Sequence, residues 1–161
     1  MENAIWFEIV KIIFMALGVL VVIFQINLDH NRRRKQSTID FWNLISGECN
    51  EFYNYIKDKT LDLSIVNSDP KLDECVREYL ARLERLAVGV NYRIYDFKIL
   101  NLICGQHLLW EYKRFENYIN GRREKEHYPY YYKAFEFLVE RIKIYKRKHP
   151  KEKDTGGTLY L

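Results

Sequence analysis

The chain of 161 residues has room for one folded domain with an anchor or a tail, but not for two separate hydrophobic cores. Its 48% hydrophobic and 30% charged residues exclude an intrinsically disordered composition. The net charge of +4 is unevenly spread, since residues 1–39 carry +2, residues 40–80 carry −5 and residues 81–161 carry +7.

The most apolar stretch comes first. Residues 12–28 (IIFMALGVLVVIFQINL) carry no charge, and with the preceding WFEIVK they are long enough to cross a bilayer as a helix. A cleaved signal peptide is not expected, because no cations precede the run and no small-x-small site follows it. A buried core helix is the alternative, although such helices rarely lack a polar stripe over this length. We therefore predict a single transmembrane helix that contacts the lipid bilayer through residues 4–28, with Trp6 as an interfacial aromatic anchor.

A cluster of cations follows this segment directly: Arg32, Arg33, Arg34 and Lys35. Only two glutamates and one lysine flank the other end of the apolar run. The positive-inside rule therefore predicts a cytoplasmic location for everything after the segment. At a membrane interface these cations meet lipid phosphates first, so nucleic acid is not an expected partner.

The remainder of the chain shows helical periodicity. A first amphipathic helix begins near Ser37, and no proline or glycine before Gly47 separates it from the apolar segment. Asp69 and Pro70 resemble the N-cap and first residue of a second helix, whose apolar stripe runs to Val90.

Three further helices are expected in the C-terminal half. Asp96 can cap a short helix that we expect to end at Gly105, and the next is expected to end at Asn120 and Gly121. A last apolar stripe follows Pro129, and no alternating strand or hairpin turn occurs anywhere.

The predicted fold class is all-α: an N-terminal single transmembrane helix followed by a cytoplasmic up-and-down helical bundle. We divide the chain into a transmembrane anchor (residues 1–31), a helical bundle (residues 32–149) and a mobile C-terminal tail (residues 150–161).

Several sequence segments carry a resemblance. STIDF after the basic cluster, LARLERLAVGVNYRIYD, Gly105 and YINGRRE together resemble a family of small bacterial membrane-anchored helical proteins, domain of unknown function 4760. The resemblance implies a fold and a location in the bacterial inner (plasma) membrane, and it supplies no catalytic residues. We expect structural roles for Glu84 and Asp96, the latter as a helix cap.

Catalytic and metal-binding patterns are scarce. The chain lacks the short motifs of serine hydrolases, zinc peptidases and P-loop enzymes. Cys104, His107 and Glu111 lie within two turns of one helix, but such groups are common by chance, so we predict no metal and no cofactor. The three cysteines are far apart, as expected for free thiols in a reducing compartment.

Arg122 and His127 form the one catalytic alternative. Their spacing resembles the Arg/His signature of helical ribonucleases, in which histidine acts as acid or base and arginine holds phosphate. A pattern this short is expected about once by chance in a chain of this composition, and Gly121 and Pro129 predict a loop here. A membrane-tethered ribonuclease, acting as a toxin or phage-defence effector, is the second hypothesis.

The segment HYPYYYKAFEF offers a possible interaction surface through Tyr128, Tyr130 and Tyr132. Tyrosine suits protein contacts because its ring is apolar and its hydroxyl is polar, although an internal aromatic seam explains the same residues. The favoured hypothesis is therefore a non-enzymatic, membrane-anchored module that binds a protein partner or itself.

Overall fold

The computed structural model describes residues 2–56 and 63–150, which form five α-helices and no strand. The helices are α1 (Glu2–Ile56), α2 (Leu63–Ser68), α3 (Pro70–Asn91), α4 (Phe97–Lys125) and α5 (Lys133–Lys148). The predicted all-α class is confirmed. The predicted tail, apart from Pro150, lies outside the described residues.

Contacts divide the chain into two units, Met1–Gln36 and Ser37–Leu161. In the first unit Trp6, Phe7 and the apolar side chains from Val10 to Leu28 are exposed on every side of α1. This part of α1 is long and apolar enough to cross a membrane, and none of its most apolar window is buried inside the protein. The segment is therefore not part of the core that the described residues form.

The core of the second unit is built around α3. Its apolar stripe is buried as the periodicity predicts, and α4 and α5 face it with the largest buried side chains, Phe115, Tyr118 and Phe135. Helix α1 adds Trp42 and Ile45 to the same core. The N-cap prediction for α3 is confirmed, because the Asp69 carboxylate accepts hydrogen bonds from the backbone N–H groups of Lys71 and Leu72.

Helix α4 differs from the prediction of two shorter helices. It runs for 29 residues through both Gly105 and Gly121. Neither glycine has a positive φ, so neither adopts the left-handed conformation that ends a helix. Gly105 is buried against the Asn101 side chain, and Gly121 is followed by strong helix formers whose cations suit a helix C-terminus. Packing and charge thus outweigh the low helix propensity of glycine.

Candidate interaction surfaces at the two ends of the helical domain

The corner between α3 and α4 is one of two exposed turns that the structure describes between α3 and α5. Helix α3 ends in a Schellman motif, in which Ile94 N–H donates to the Gly89 carbonyl at 2.8 Å and Arg93 N–H donates to the Val90 carbonyl at 3.2 Å. Arg93 takes the left-handed position of this motif, with φ of 59°. A non-glycine residue there costs about 1 kcal/mol. Tyr92 and Ile94 on either side are 77% and 59% exposed.

Helix α1 fixes this corner in place. The backbone N–H of Asp96 donates to the Thr38 hydroxyl at 2.7 Å, and both residues are buried. The Asp96 carboxylate in turn accepts hydrogen bonds from the first N–H groups of α4, as predicted for a cap. The Tyr95 ring stacks on Phe41 with centroids 5.0 Å apart, so the corner is held by both polar and aromatic contacts.

The C-terminus of α5 lies beside the same corner. The Tyr145 ring meets Phe97 edge-on with centroids 5.4 Å apart, and the Arg141 guanidinium sits 4.0 Å from the centre of the Phe97 ring. The last turn of α5 carries three further cations, Lys146, Arg147 and Lys148. We call the surface formed by residues 88–98 and 141–149 the basic end, because it contains seven Lys or Arg and a single acidic residue, the buried Asp96.

The second exposed turn, residues 126–132, is called the tyrosine turn. Helix α4 ends here in another Schellman motif, with Tyr128 N–H donating to the Arg123 carbonyl at 3.1 Å and His127 in the left-handed position with φ of 51°. Tyr128 and Tyr130 are 51% and 65% exposed, and their rings meet edge-to-face with centroids 5.8 Å apart.

Tyr132 behaves differently from its two neighbours. Its ring is half-buried against the core, and this burial raises the pKa of the hydroxyl to about 12. Of the three tyrosines predicted for an interaction surface, Tyr128 and Tyr130 are therefore the two that face solvent, whereas Tyr132 anchors the turn.

The N-terminus of α5 is capped from another helix. Tyr132 precedes it in a left-handed conformation and supplies no side-chain hydrogen bond. Instead, the Glu84 carboxylate on α3 accepts hydrogen bonds from the backbone N–H groups of Ala134 at 3.0 Å and Phe135 at 2.7 Å. Glu84 therefore has the structural role expected for it, through a partner 50 residues away.

The Arg123 guanidinium secures the other side of the turn. It donates two hydrogen bonds to the Tyr131 carbonyl, at 3.0 and 2.7 Å, and a third to Glu136 at 2.8 Å. Although desolvation raises the pKa of Glu136, hydrogen bonds from Lys133 and Arg123 outweigh it and lower the pKa below its ordinary value. The backbone of the tyrosine turn is therefore hydrogen-bonded to Arg123 at both Tyr128 and Tyr131.

Arg122 and His127, the two residues of the ribonuclease hypothesis, both have structural roles. Arg122 lies on α4, not in the predicted loop, and its guanidinium pairs with Glu126 at 2.8 Å. His127 is exposed in the tyrosine turn and ends α4. The loop prediction is wrong for Arg122 because the RREK run extends the helix past Gly121.

The Cys104, His107 and Glu111 group also has structural contacts. The Cys104 thiol donates to the Leu100 carbonyl at 3.3 Å, and the His107 ring meets Trp42 edge-on with centroids 5.6 Å apart. Burial lowers the pKa of His107, and this effect exceeds the opposing influence of Glu111. Within residues 2–56 and 63–150, no three His, Cys, Asp or Glu side chains are grouped so as to hold a metal ion.

The residues predicted at the membrane interface all lie on α1. Trp6, Arg32, Arg33 and Lys35 are exposed, and Arg34 is partly exposed. Arg33 pairs with Asp29 one turn earlier, at 2.8 Å. Their contact with lipid stays a prediction.

A family profile described as "Domain of unknown function (DUF4760)" matches residues 12–142. The matched region begins in the apolar segment of α1 and ends at Ile142, the last buried residue of α5. Comparison with curated proteins and with solved structures gives no match.

Proposed function

The chain belongs to the family described as domain of unknown function DUF4760, and we propose that it is a single-pass membrane protein whose helical domain binds another protein at the cytoplasmic face. In this proposal the protein is an adaptor or scaffold without a catalytic site. Its helical domain is an up-and-down bundle, and the membrane is the inner membrane of a bacterium.

The exposed apolar segment of α1 carries the proposal. Soluble monomers rarely expose contiguous apolar patches of more than a few hundred Å². Here Trp6, Phe7 and the large apolar side chains from Val10 to Leu28 are exposed all round the helix, as lipid-facing residues are. The cations at positions 32–35 follow this segment, which favours a cytoplasmic side for the domain.

The tyrosine turn is the proposed protein-binding surface. Interface residues that contribute most affinity are often tyrosines held in one conformation before binding, because little entropy is then lost. Tyr128 and Tyr130 have this arrangement, since the Tyr128 N–H donates to the Arg123 carbonyl before them and the Arg123 guanidinium donates to the Tyr131 carbonyl after them. A second copy of this chain is the alternative occupant of the same surface.

Two arginine substitutions on α1 test the anchor. Leu20 and Leu44 lie on the same helix and are 61% and 58% exposed, so neither substitution disturbs the core. An arginine near the middle of a transmembrane helix costs about 3 kcal/mol or more. We expect Leu20→Arg to lower the fraction of protein that resists alkaline carbonate extraction from membranes, and Leu44→Arg to leave it unchanged. Equal extraction of both variants and the wild type would count against a transmembrane α1.

The double substitution Tyr128→Ala with Tyr130→Ala tests the binding surface. The tagged full-length protein is purified in mild detergent at native expression level, and bound proteins are quantified by mass spectrometry beside a Tyr92→Ala control. Tyr92 is an even more exposed tyrosine, in the other turn. We expect a stoichiometric partner, or the self-associated form, to be lost from the double variant alone. Retention by the double variant would exclude the tyrosine turn.

The ribonuclease hypothesis is the weaker proposal. Arg122 is paired with Glu126, which leaves its guanidinium less free to bind phosphate than the hypothesis needs. Toxicity on overexpression that disappears with Arg122→Ala would favour it over the adaptor.

A further inference from the structure

We propose that the basic end of the helical domain is a second membrane contact, which docks on the anionic lipid surface of the bilayer that the apolar segment crosses. This inference rests on the proposed membrane anchor. It adds an orientation for the domain, with the basic end towards the lipid and the tyrosine turn towards the cytoplasm.

The first argument is the position of the basic end along the chain. Thr38, the partner of Asp96, lies only ten residues after Leu28, the last residue of the apolar run. Ten residues span no more than about 36 Å even when fully extended. The corner that Thr38 holds is therefore tethered within that distance of the last residue of the apolar run.

The second argument is charge. The basic end contains seven Lys or Arg against the buried Asp96. The net charge of this end is therefore +6. Asp40 and Glu140 on adjoining turns lower it to +4, and Glu140 is hydrogen-bonded to Lys143. At the other end of the domain, residues 69–74 and 122–136 contain five Lys or Arg and six Asp or Glu. One end of the domain thus complements anionic lipid and the other does not.

The two ends are defined by contacts within the domain. Phe97, at the start of α4, meets the Tyr145 ring of α5, whereas Tyr112, midway along α4, meets Phe135 at the other end of α5. Tyr118 donates a hydrogen bond of 2.7 Å to Asp73 near the start of α3. The basic turns accordingly gather around the α3–α4 corner, and the balanced charges gather around the tyrosine turn.

The third argument is the chemistry of the corner itself. Tyr92, Arg93 and Ile94 present an aromatic ring, a cation and an aliphatic side chain next to each other, all exposed. Interfacial membrane contacts combine these types, because rings and aliphatic groups enter the headgroup layer while arginine reaches phosphate.

Lipid contact at defined positions of the full-length protein tests the proposal. Single cysteines replace Leu20, Tyr92 or Tyr130, in a chain with Cys49→Ser and Cys75→Ser; Cys104 is buried and is kept. Each cysteine carries a nitroxide spin label. The label collides more often with oxygen when it lies in lipid, and more often with a water-soluble nickel chelate when it lies in water, so the two collision rates are compared. The protein is reconstituted in vesicles of phosphatidylcholine, with or without phosphatidylglycerol. Tyr92 and Tyr130 form a matched pair, since both are exposed tyrosines in turns at opposite ends of the domain.

We expect lipid contact at Leu20 in both kinds of vesicle, at Tyr92 only with phosphatidylglycerol, and at Tyr130 in neither. An aqueous Leu20 would refute the membrane anchor and, with it, the proposed function. A lipid-exposed Leu20 with equal, aqueous signals at Tyr92 and Tyr130 would overturn the second contact alone.

Charge reversal tests whether the cations of the basic end hold it at the anionic lipid. Each cation near an anionic surface changes the bound population about fivefold. We therefore expect Arg147→Glu with Lys148→Glu to lower the lipid-contacting fraction at Tyr92 by at least that factor. Lys71→Glu, at the other end, should leave it unchanged. An effect of the same size from Lys71→Glu, or none from the pair, would contradict docking through the basic end.

Discussion

Removal of the Glu84 carboxylate is expected to destabilise the helical domain more than any exposed charge on α3. The carboxylate accepts two hydrogen bonds from the first free N–H groups of α5, in a partly buried position, where Tyr132 supplies no cap. Loss of a helix cap costs about 1 kcal/mol, and a hydrogen bond to a charged group contributes about 1.5 to 3 kcal/mol. We expect Glu84→Ala to lower the free energy of unfolding by about 2 kcal/mol, or the Tm by about 5 °C.

The matched control for this experiment is Glu78→Ala on the same helix. Glu78 is exposed and lies 4.0 Å from Arg82, so its ion pair contributes about 0.5 kcal/mol or less. Thermal and denaturant unfolding of the detergent-solubilised protein, followed by circular dichroism, measures both variants. Equal destabilisation by the two substitutions would refute the capping role of Glu84. Glu84→Gln, which keeps acceptor oxygen but loses the charge, should fall between them.

Four further substitutions test other contacts of the helical domain. Gly89→Ala should lower the free energy of unfolding by about 1 to 3 kcal/mol, because the added Cβ would overlap the Tyr95 ring. Gly105→Ala should lower it by less, because the added Cβ meets the end of the Asn101 side chain. His127→Gly should raise the Tm by relieving the left-handed backbone at the end of α4, and a lower Tm would contradict that explanation. Burial lowers the pKa of His107, so the unfolded chain binds a proton at this residue more readily than the folded chain does. The free energy of unfolding should therefore fall as the pH drops below about 6.5. His107→Gln should reduce this loss, as measured by denaturation at acid pH.

Local signals in the sequence predicted much of the fold. The apolar stripe of α3 and the caps at Asp69 and Asp96 depend on neighbouring residues, so periodicity and capping rules identify them. The continuity of α4 was missed, because the rule that glycine ends a helix ignores the packing around Gly105 and the RREK run after Gly121.

Of the two candidate surfaces, one could be predicted from neighbouring residues in the sequence and the other could not. Tyr128 and Tyr130 were recognisable from a local cluster of tyrosines. The basic end was not, because it joins residues 88–98 to residues 141–149, and only the contacts of Phe97 with Arg141 and Tyr145 bring these segments together. The cap supplied by Glu84 to α5 was hidden for the same reason, since its partners are 50 and 51 residues away.

The measurement that tests the central claim most directly is the side of the membrane on which the helical domain lies. Trp110→Cys, in the chain that lacks Cys49 and Cys75, is exposed to a membrane-impermeant maleimide in spheroplasts, before and after permeabilisation. Trp110 is 63% exposed and lies outside both proposed contact surfaces, so access to the thiol depends on the membrane and not on the fold. A cytoplasmic, membrane-anchored domain predicts labelling only after permeabilisation, in protein that stays with the membrane fraction. Labelling of intact spheroplasts, or recovery of the protein in the soluble fraction, would contradict it.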